Sequence, residues 1–347
     1  MALQSSGAIS LSQIQTEFGG TAPTSLSEYY AAADGIPNNN SPLSFSDFYG
    51  TSSNIDLDTI ATPVVINGQN SLQEITVSNY ISSGGQLTIP SGWWIWSDNT
   101  SNAGMTIDIP CTIINNGYII GRGGNGAGTI GYNGTAGGPA IRINSGVSGV
   151  TITNNASAFI AGGGGGGATQ NSTSQRRGGG GGGAGGGTGG IGVRNNGGAH
   201  SSQSYQNGAV LNAAAAQGVA VTSQTAQAGG VGGYVLENSS GSEVQQATGS
   251  GGGRILAGND CNPTVQYITQ FSGNIATGGA GGQNGGNGRR SGDTSIGAGG
   301  GGWGASGGNG ASGRSVNGTG GAGGKAVEDT GNTYTLINNG TMFGATT

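Results

Sequence analysis

The sequence predicts a mainly β fold: β-solenoid-like strand units, a bundle of polyglycine type II helices, and a small N-terminal module of short helical turns. Three observations predict it. A five-residue motif (Ser, apolar, Ser, polar or acidic, apolar) occurs three times in the first fifty residues. A strand, Asn-Asn, strand unit occurs three times further on. All but eleven of the 81 glycines lie after residue 120, many in unbroken blocks.

Charge divides the 347 residues at the same place. Residues 1–120 hold nine acids and no base, so all 10 Lys and Arg lie beyond them, and the net charge is −5. Two unlike regions with different partners is the simplest reading. The expected organisation is an assembly module over 1–50, a strand segment over 51–120 and a glycine-rich binding domain over 121–347. The start, Met1 to Ser6, has neither the basic residues nor the apolar run of a secretory signal. No stretch approaches the ~20 apolar residues of a membrane helix. Two cysteines, Cys111 and Cys261, make no disulfide framework. Synthesis and assembly in a cytoplasm are expected.

The motif copies are Ser10 to Ile14, Ser25 to Tyr29 and Ser44 to Phe48. The second serine of each suits a helix N-cap, and Ser12 with Gln15 fits a capping box. Fifty residues built of one-turn helices make a poor core alone. Leu11, Ile14, Leu26, Tyr29, Phe45 and Phe48 are therefore expected to dock on a partner or on copies of the same chain.

Residues 55–120 alternate as strands do, at Ile55 to Asp58, Gln86 to Ile89 and Thr106 to Ile109. In Trp93-Trp94-Ile95-Trp96 the expectation is core on one face and a contact between subunits on the other. The repeat units are Thr112 to Gly121, Thr151 to Ile160 and Thr335 to Gly344. Asn tolerates the left-handed conformation that such turns use. Gly138-Pro139-Ala140-Ile141 is echoed by Gly324-Lys325-Ala326-Val327. Stacked coils follow, with the chain leaving the stack near 161 and returning near 326.

The blocks between those points (162–167, 178–183, 185–187, 251–253, 299–302) keep no Gly-x-y register, which argues against collagen. Extended glycine helices have no internal hydrogen bonds, so buried ones bond sideways to one another. The segments between blocks then become loops, and function concentrates on loops held by rigid elements. Arg176, Arg177, Arg289 and Arg290 are candidates for anionic groups. Tyr205, Tyr234 and Trp303 are the aromatic candidates.

The residues Ser5 to Gly20, with their Ser-Leu-Ser-Glu-Tyr-Tyr and Ser-Phe-Ser-Asp-Phe-Tyr-Gly echoes, resemble a module of phage structural proteins. Ile113 to Gly126 is similar to glycine-rich segments of phage tail fibres and host-specificity proteins. The glycine blocks with intervening loops resemble the tail-fibre tip adhesins of T-even phages. The resemblance implies a virion protein with a polyglycine II core. Its loops would bind an outer-membrane protein or a surface glycan, and its N-terminal module would join other virion proteins. The segment 51–120 departs from that family. A baseplate or head-surface fibre and a depolymerase spike are the competing functions. A free glycine-rich ice-binding protein is a further one.

Enzyme chemistry finds little support. Gly121-x-Gly123-x-x-Gly126 is followed by no helix pattern, as a dinucleotide fold would need. Lys325 is the only lysine and His200 the only histidine, so neither a P-loop nor a histidine metal site is expected. The acids of the second half do not cluster as a glycosidase pair would. No cofactor, nucleic acid or membrane insertion is expected.

Overall fold

The computed structural model describes residues 3–18, 22–30, 32, 36–37, 41–51, 54–66, 69–128, 133–169, 179–190, 228–230, 232, 234–237, 243–247, 249, 251–253, 276–291, 294–310 and 318–347.

Each copy of the serine motif closes one helical turn. The first serine caps it, not the second as expected. Helix α1 (Leu11–Phe18) follows Ser10, whose N–H donates to Gln13 Oε1 at 2.8 Å while Gln13 N–H donates to Ser10 Oγ at 3.2 Å. One-turn helices at Leu26–Tyr29 and Phe45–Phe48 repeat this box with Ser25 and Glu28, and with Ser44 and Asp47. The polar residue three places after the first serine is the one that can return the bond. The second serine instead pairs with the first, hydroxyl to hydroxyl, at 2.7–2.9 Å.

The last apolar residue of each motif turns inward. Ile14, Tyr29 and Phe48 are buried with Phe18, Ala32 and Ile36, and the rings of Phe18, Tyr29 and Phe48 form a triangle with centroids 6.0–6.2 Å apart. The first apolar residue lies at the margin: Leu11 and Leu26 are half-buried against this core and Phe45 is 40% exposed. So Ile14, Tyr29 and Phe48, expected as docking residues, hold the module's own core. Leu11, Leu26 and Phe45 remain at its surface. Bonds from Leu3 N–H to Thr51 C=O and from Gly50 N–H to Gln4 C=O close the module on itself.

The strands then wind into stacked coils. The first coil has β1 (Asn54–Asp56), β2 (Val64–Ile66), β3 (Gln69–Gln73) and β4 (Ile75–Thr76). The second has β5 (Gln86–Ile89), β6 (Trp94–Trp96) and β7 (Met105–Ile107), and the third β8 (Thr112–Asn115), β9 (Tyr118–Ile120) and β10 (Ile141–Ile143). The fourth begins with β11 (Val150–Asn154) and β12 (Phe159–Ala161). The chain then leaves the stack. That excursion contains β13 (Tyr234–Glu237), β14 (Glu243–Ala247), β15 (Arg289–Ser291) and β16 (Thr294–Ile296). It returns at β17 (Val327–Glu328) and finishes with β18 (Tyr334–Asn338) and β19 (Thr341–Phe343).

Corresponding strands of successive coils pair in parallel, forming three sheets: β1-β5-β8-β11-β18, β4-β7-β10-β17 and β3-β6-β9-β12-β19, the last extended by antiparallel β2. The departure near 161 and return near 326 are as the repeats predicted, and the Ile141 and Val327 echoes lie opposite each other. Ile55 to Asp58, expected to be one strand, changes to a one-turn helix, α2 (Leu57–Ile60), which buries Leu57 completely in the first coil.

Alternation decides what faces the interior. Leu87, Ile113 and Ile152 form one buried column, and Ile75, Met105, Ile141 and Val327 another. The asparagines of the repeat take no left-handed turn. They form a ladder: Asn115 Nδ2 donates to Asn154 Oδ1 at 2.9 Å, and Asn154 Nδ2 to Asn338 Oδ1 at 2.8 Å. A stacked amide satisfies a buried amide one coil away, so the same residue recurs at each level. On the outer face of the second sheet, Arg142 and Glu328 pair at 2.6 Å across the neighbouring strands β10 and β17.

The excursion and the residues 121–140 build a lattice of glycine segments. Residues 162–168 show its rule. Gly163 and Gly166 donate to Gly138 and Thr135, Gly164 and Gly167 to Ala184 and Gly181, and Gly165 and Ala168 to Ala305 and Gly308. The same segment accepts from Gly124 and Ala127, from Gly301 and Ala298, and from Gly324 and Gly321. These bonds run 2.7–3.0 Å. Every third residue returns to the same neighbour, so six neighbours surround this segment and its backbone groups are paired without side chains.

Candidate functional site

The lattice has two ends. The near end meets the outer face of the third sheet, where Trp94, Tyr118 and Phe159 lie in register on successive coils. Trp94 and Tyr118 stack at 4.2 Å, Tyr118 and Phe159 at 5.3 Å, and Phe159 and Phe343 at 6.2 Å. Trp303 lies across them, edge-on to Trp94 and Phe159 with centroids 6.2 and 6.0 Å away. The adjacent column shrinks from Trp96 through Ile120 to Ala161, and Ala184 of the lattice packs against it.

Two expectations are thereby corrected. Trp303, expected on a binding face, is 1% exposed and anchors the lattice to the coils. Trp94 and Trp96, expected between subunits, are buried by this chain's own lattice. Apolar rings two residues apart on one sheet face need cover, and glycine segments lie flat enough to supply it.

The far end is where residues 127, 168, 181, 298, 308 and 321 meet. Several described lattice segments end here, among them those that close at residues 128, 169 and 310. Arg176, Arg177 and Tyr205 lie outside the described residues. The joints of the first two are described: Ala168 and Gly180 both sit at the far end, bonded to Gly308 and Ala127. Tyr234 falls on β13, and Arg289 and Arg290 on β15, so these three belong to strands, not to irregular loops. A four-stranded antiparallel sheet, β14-β13-β16-β15, joins them. It opens directly from the far end, because Ile296 runs into Gly297 and Ala298, and Ala298 donates to Ala168.

Sequence reasoning missed the asparagines along the lattice edges. Where no neighbouring carbonyl is available, an Asn side chain supplies one: Asn125 Oδ1 accepts from Thr188 N–H, Asn284 from Ser306, Asn287 from Asn309, Asn309 from Gly320 and Asn133 from Thr319, at 2.9–3.1 Å. Their three-residue spacing at 284 and 287 was the available signal.

The described residues offer little to bond-making chemistry. No three His, Cys, Asp or Glu side chains lie together among them. The Cys111 thiol is pushed up to about 12 by burial, and further by nearby Asp108, so it stays protonated and a poor nucleophile. Glu74 already accepts from Ser97 Oγ, Asp98 N–H and Asn102 Nδ2, bonds that hold its pKa below the usual value against the opposing effect of burial. No described helix is long and apolar enough to cross a membrane.

Residues 51–276 match the family model of the phage tail fibre adhesin Gp38, which is more than half of the chain, and the protein belongs to that family. It is a receptor-binding adhesin of the phage tail fibre. Among solved structures it is similar to the crystal structure of the gp37-gp38 adhesin tip complex of the bacteriophage S16 long tail fiber, at 19% identity over 99% of this chain and 100% of that chain, with a TM-score of 0.35. No curated protein matches.

Proposed function

We propose that the far end of the lattice is the receptor-contacting tip, and that the glycine segments are polyglycine II helices holding it. The observation that carries this is the three-residue period of the hydrogen bonds around residues 162–168. Three residues per turn is the repeat of that helix, and its rise of about 3.1 Å per residue puts the tip roughly 20 Å from the aromatic clasp. Nothing in such a frame gives way to side-chain change except its connections, which are free to vary.

The organisation we infer is an attachment module at 1–50, a coiled stem beginning at 51–120, and the glycine-rich part of 121–347 presenting the tip. Leu11, Leu26 and Phe45 would seat the module on another virion protein. The receptor would be an outer-membrane protein or a surface glycan, met by Arg176, Arg177, Tyr205, Tyr234, Arg289 and Arg290. The adhesin would be made in the host cytoplasm and carried on the exposed fibre.

The test replaces Arg176, Arg177, Arg289 and Arg290 together by Ala. Adsorption to host cells should fall tenfold or more while the melting temperature stays within a degree or two. Unaltered adsorption would remove the arginines from the tip site.

A further inference from the structure

The edge of the lattice carries a belt of asparagines just below the far end. Resting on the reading of that end as the receptor tip, we propose that Asn133, Asn287 and Asn309 are positioning residues for binding. They hold the roots of the tip connections and leave contact with the receptor to other side chains.

An Asn-Gly pair is the unit of the belt. Asn287 Oδ1 accepts from Asn309 N–H at 2.9 Å, and Gly288 N–H donates to the C=O of the same Asn309 at 2.8 Å. Asn133 and Gly134 hold Thr319 in the same two ways, at 2.9 and 3.0 Å. Asn309 and Gly310 reach the next segment at Gly320 N–H and Gly318 C=O, both at 2.9 Å. The bonds join end to end, from residue 287 through 309 and 318–320 to 133, and tie four neighbouring segments together. All three asparagines are exposed, so each amide stands in for a carbonyl that no further glycine segment supplies.

The belt lies at the last turn before the connections. The described residues of its segments end at 310 and begin at 133 and 318, so Asn133, Asn309 and Thr319 stand at those limits or one residue inside them. The connections rooted there are 129–132 and 311–317, and Asn287 precedes β15 by two residues. An extended glycine helix has no bonds within itself, so its last turn keeps its place only through its neighbours. Without the belt the outer N–H groups turn to water and the roots move. Binding must then order them, a cost that pre-organisation removes. Asn284 gives the comparison. With Gly285 it clips Ser306 through two bonds of 3.0 Å, one turn and about 9 Å further from the tip. It makes the same bonds and roots no connection of the far end.

The experiment compares variants of the full chain for adsorption to host cells, melting temperature and hydrogen exchange. Replacing Asn133, Asn287 and Asn309 together by Ala should lower adsorption tenfold or more and speed exchange at Gly134, Gly288 and Gly310. Asp at the same three positions keeps the acceptor oxygen and should restore most of both. Asn287→Ala alone should lower adsorption about fivefold. Asn284→Ala should lower the melting temperature about as much as Asn287→Ala yet leave adsorption within about twofold, a difference that a merely structural role would not produce. Equal adsorption losses from Asn284→Ala and Asn287→Ala, or no loss from the triple Ala variant, would overturn the proposal. Replacing 129–132 and 311–317 by glycine-serine segments of equal length separates the belt from the tip. If that abolishes adsorption while the triple Ala variant adsorbs normally, the tip reading stands and the belt is dispensable. If it leaves adsorption intact, the tip reading itself fails at these connections.

Discussion

At the scale of the residue, the decisive side chain is the missing one. A Cβ built on Gly164 would lie 2.1 Å from Gly301 O and 2.8 Å from Ala184 N, and one on Gly183 would lie 1.9 Å from Gly164 O. No rotamer relieves such a contact, because both partners are backbone. Gly164→Ala must spread the lattice, and spreading breaks bonds that have no water to replace them. Overpacking costs about 1–3 kcal/mol and an unsatisfied buried backbone group about as much again. Gly92, at a surface turn with φ +79°, has nothing within 4 Å of its Cβ position, so Gly92→Ala incurs only the left-handed backbone cost of about 1–2 kcal/mol. The melting temperature should therefore fall clearly further for Gly164→Ala than for Gly92→Ala. Equal shifts would mean that the glycine segments are not close-packed. Glycine blocks are conspicuous in sequence, and so this part of the design was legible. The Asn-Asn pairs were equally conspicuous but misread, since a ladder needs the neighbouring coil, which local spacing does not reveal.

At the scale of the element, each coil strand does two jobs, and only one leaves a clear trace in sequence. The inward alternation at Leu87 and Ile89, or at Ile113 and Asn115, marked the strands and their repeat. The outward residues of the third sheet were harder to read. Trp94 and Trp96 look like a contact between subunits when read alone, because what covers them includes residue 303, far along the chain. The same non-locality hid Trp303, which follows a glycine block and looks like a loop residue. Its burial makes it the peg that joins lattice to stem. Trp303→Ala should cost about 3–5 kcal/mol, the usual range for removing a buried tryptophan. The effect should extend to the last coil, since Trp303 also packs on Phe343, with centroids 6.0 Å apart. Hydrogen exchange should report faster opening of β19 in this variant and little change in the N-terminal module. Protection of β19 equal to the parent's would show that the clasp is dispensable.

At the scale of the whole molecule, the question is whether the parts are separable. The N-terminal module has its own core of Ile14, Phe18, Tyr29, Ala32, Ile36 and Phe48, and none of these belongs to the core that begins at Leu57. Its two ends are tied together by the bonds between residues 3 and 51 and between 4 and 50. At the first coil Leu57 is fully buried and belongs to the stack's own core. The module's net charge is wholly acidic, whereas every base lies beyond residue 120. A separable, self-closed, acidic unit with Leu11, Leu26 and Phe45 left at its surface is the arrangement expected of an attachment piece. Deleting Met1 to Gly50 should then leave the melting transition of the stem and lattice within a few degrees of the parent's. The truncated chain should still bind host cells in solution, because the far end of the lattice is untouched, yet it should be missing from purified particles. Normal incorporation of the truncated protein would move attachment elsewhere, and the exposed last coil, with Ile337 46% accessible, would be the next place to look. Collapse of the main transition would show instead that the module is part of the stem's fold.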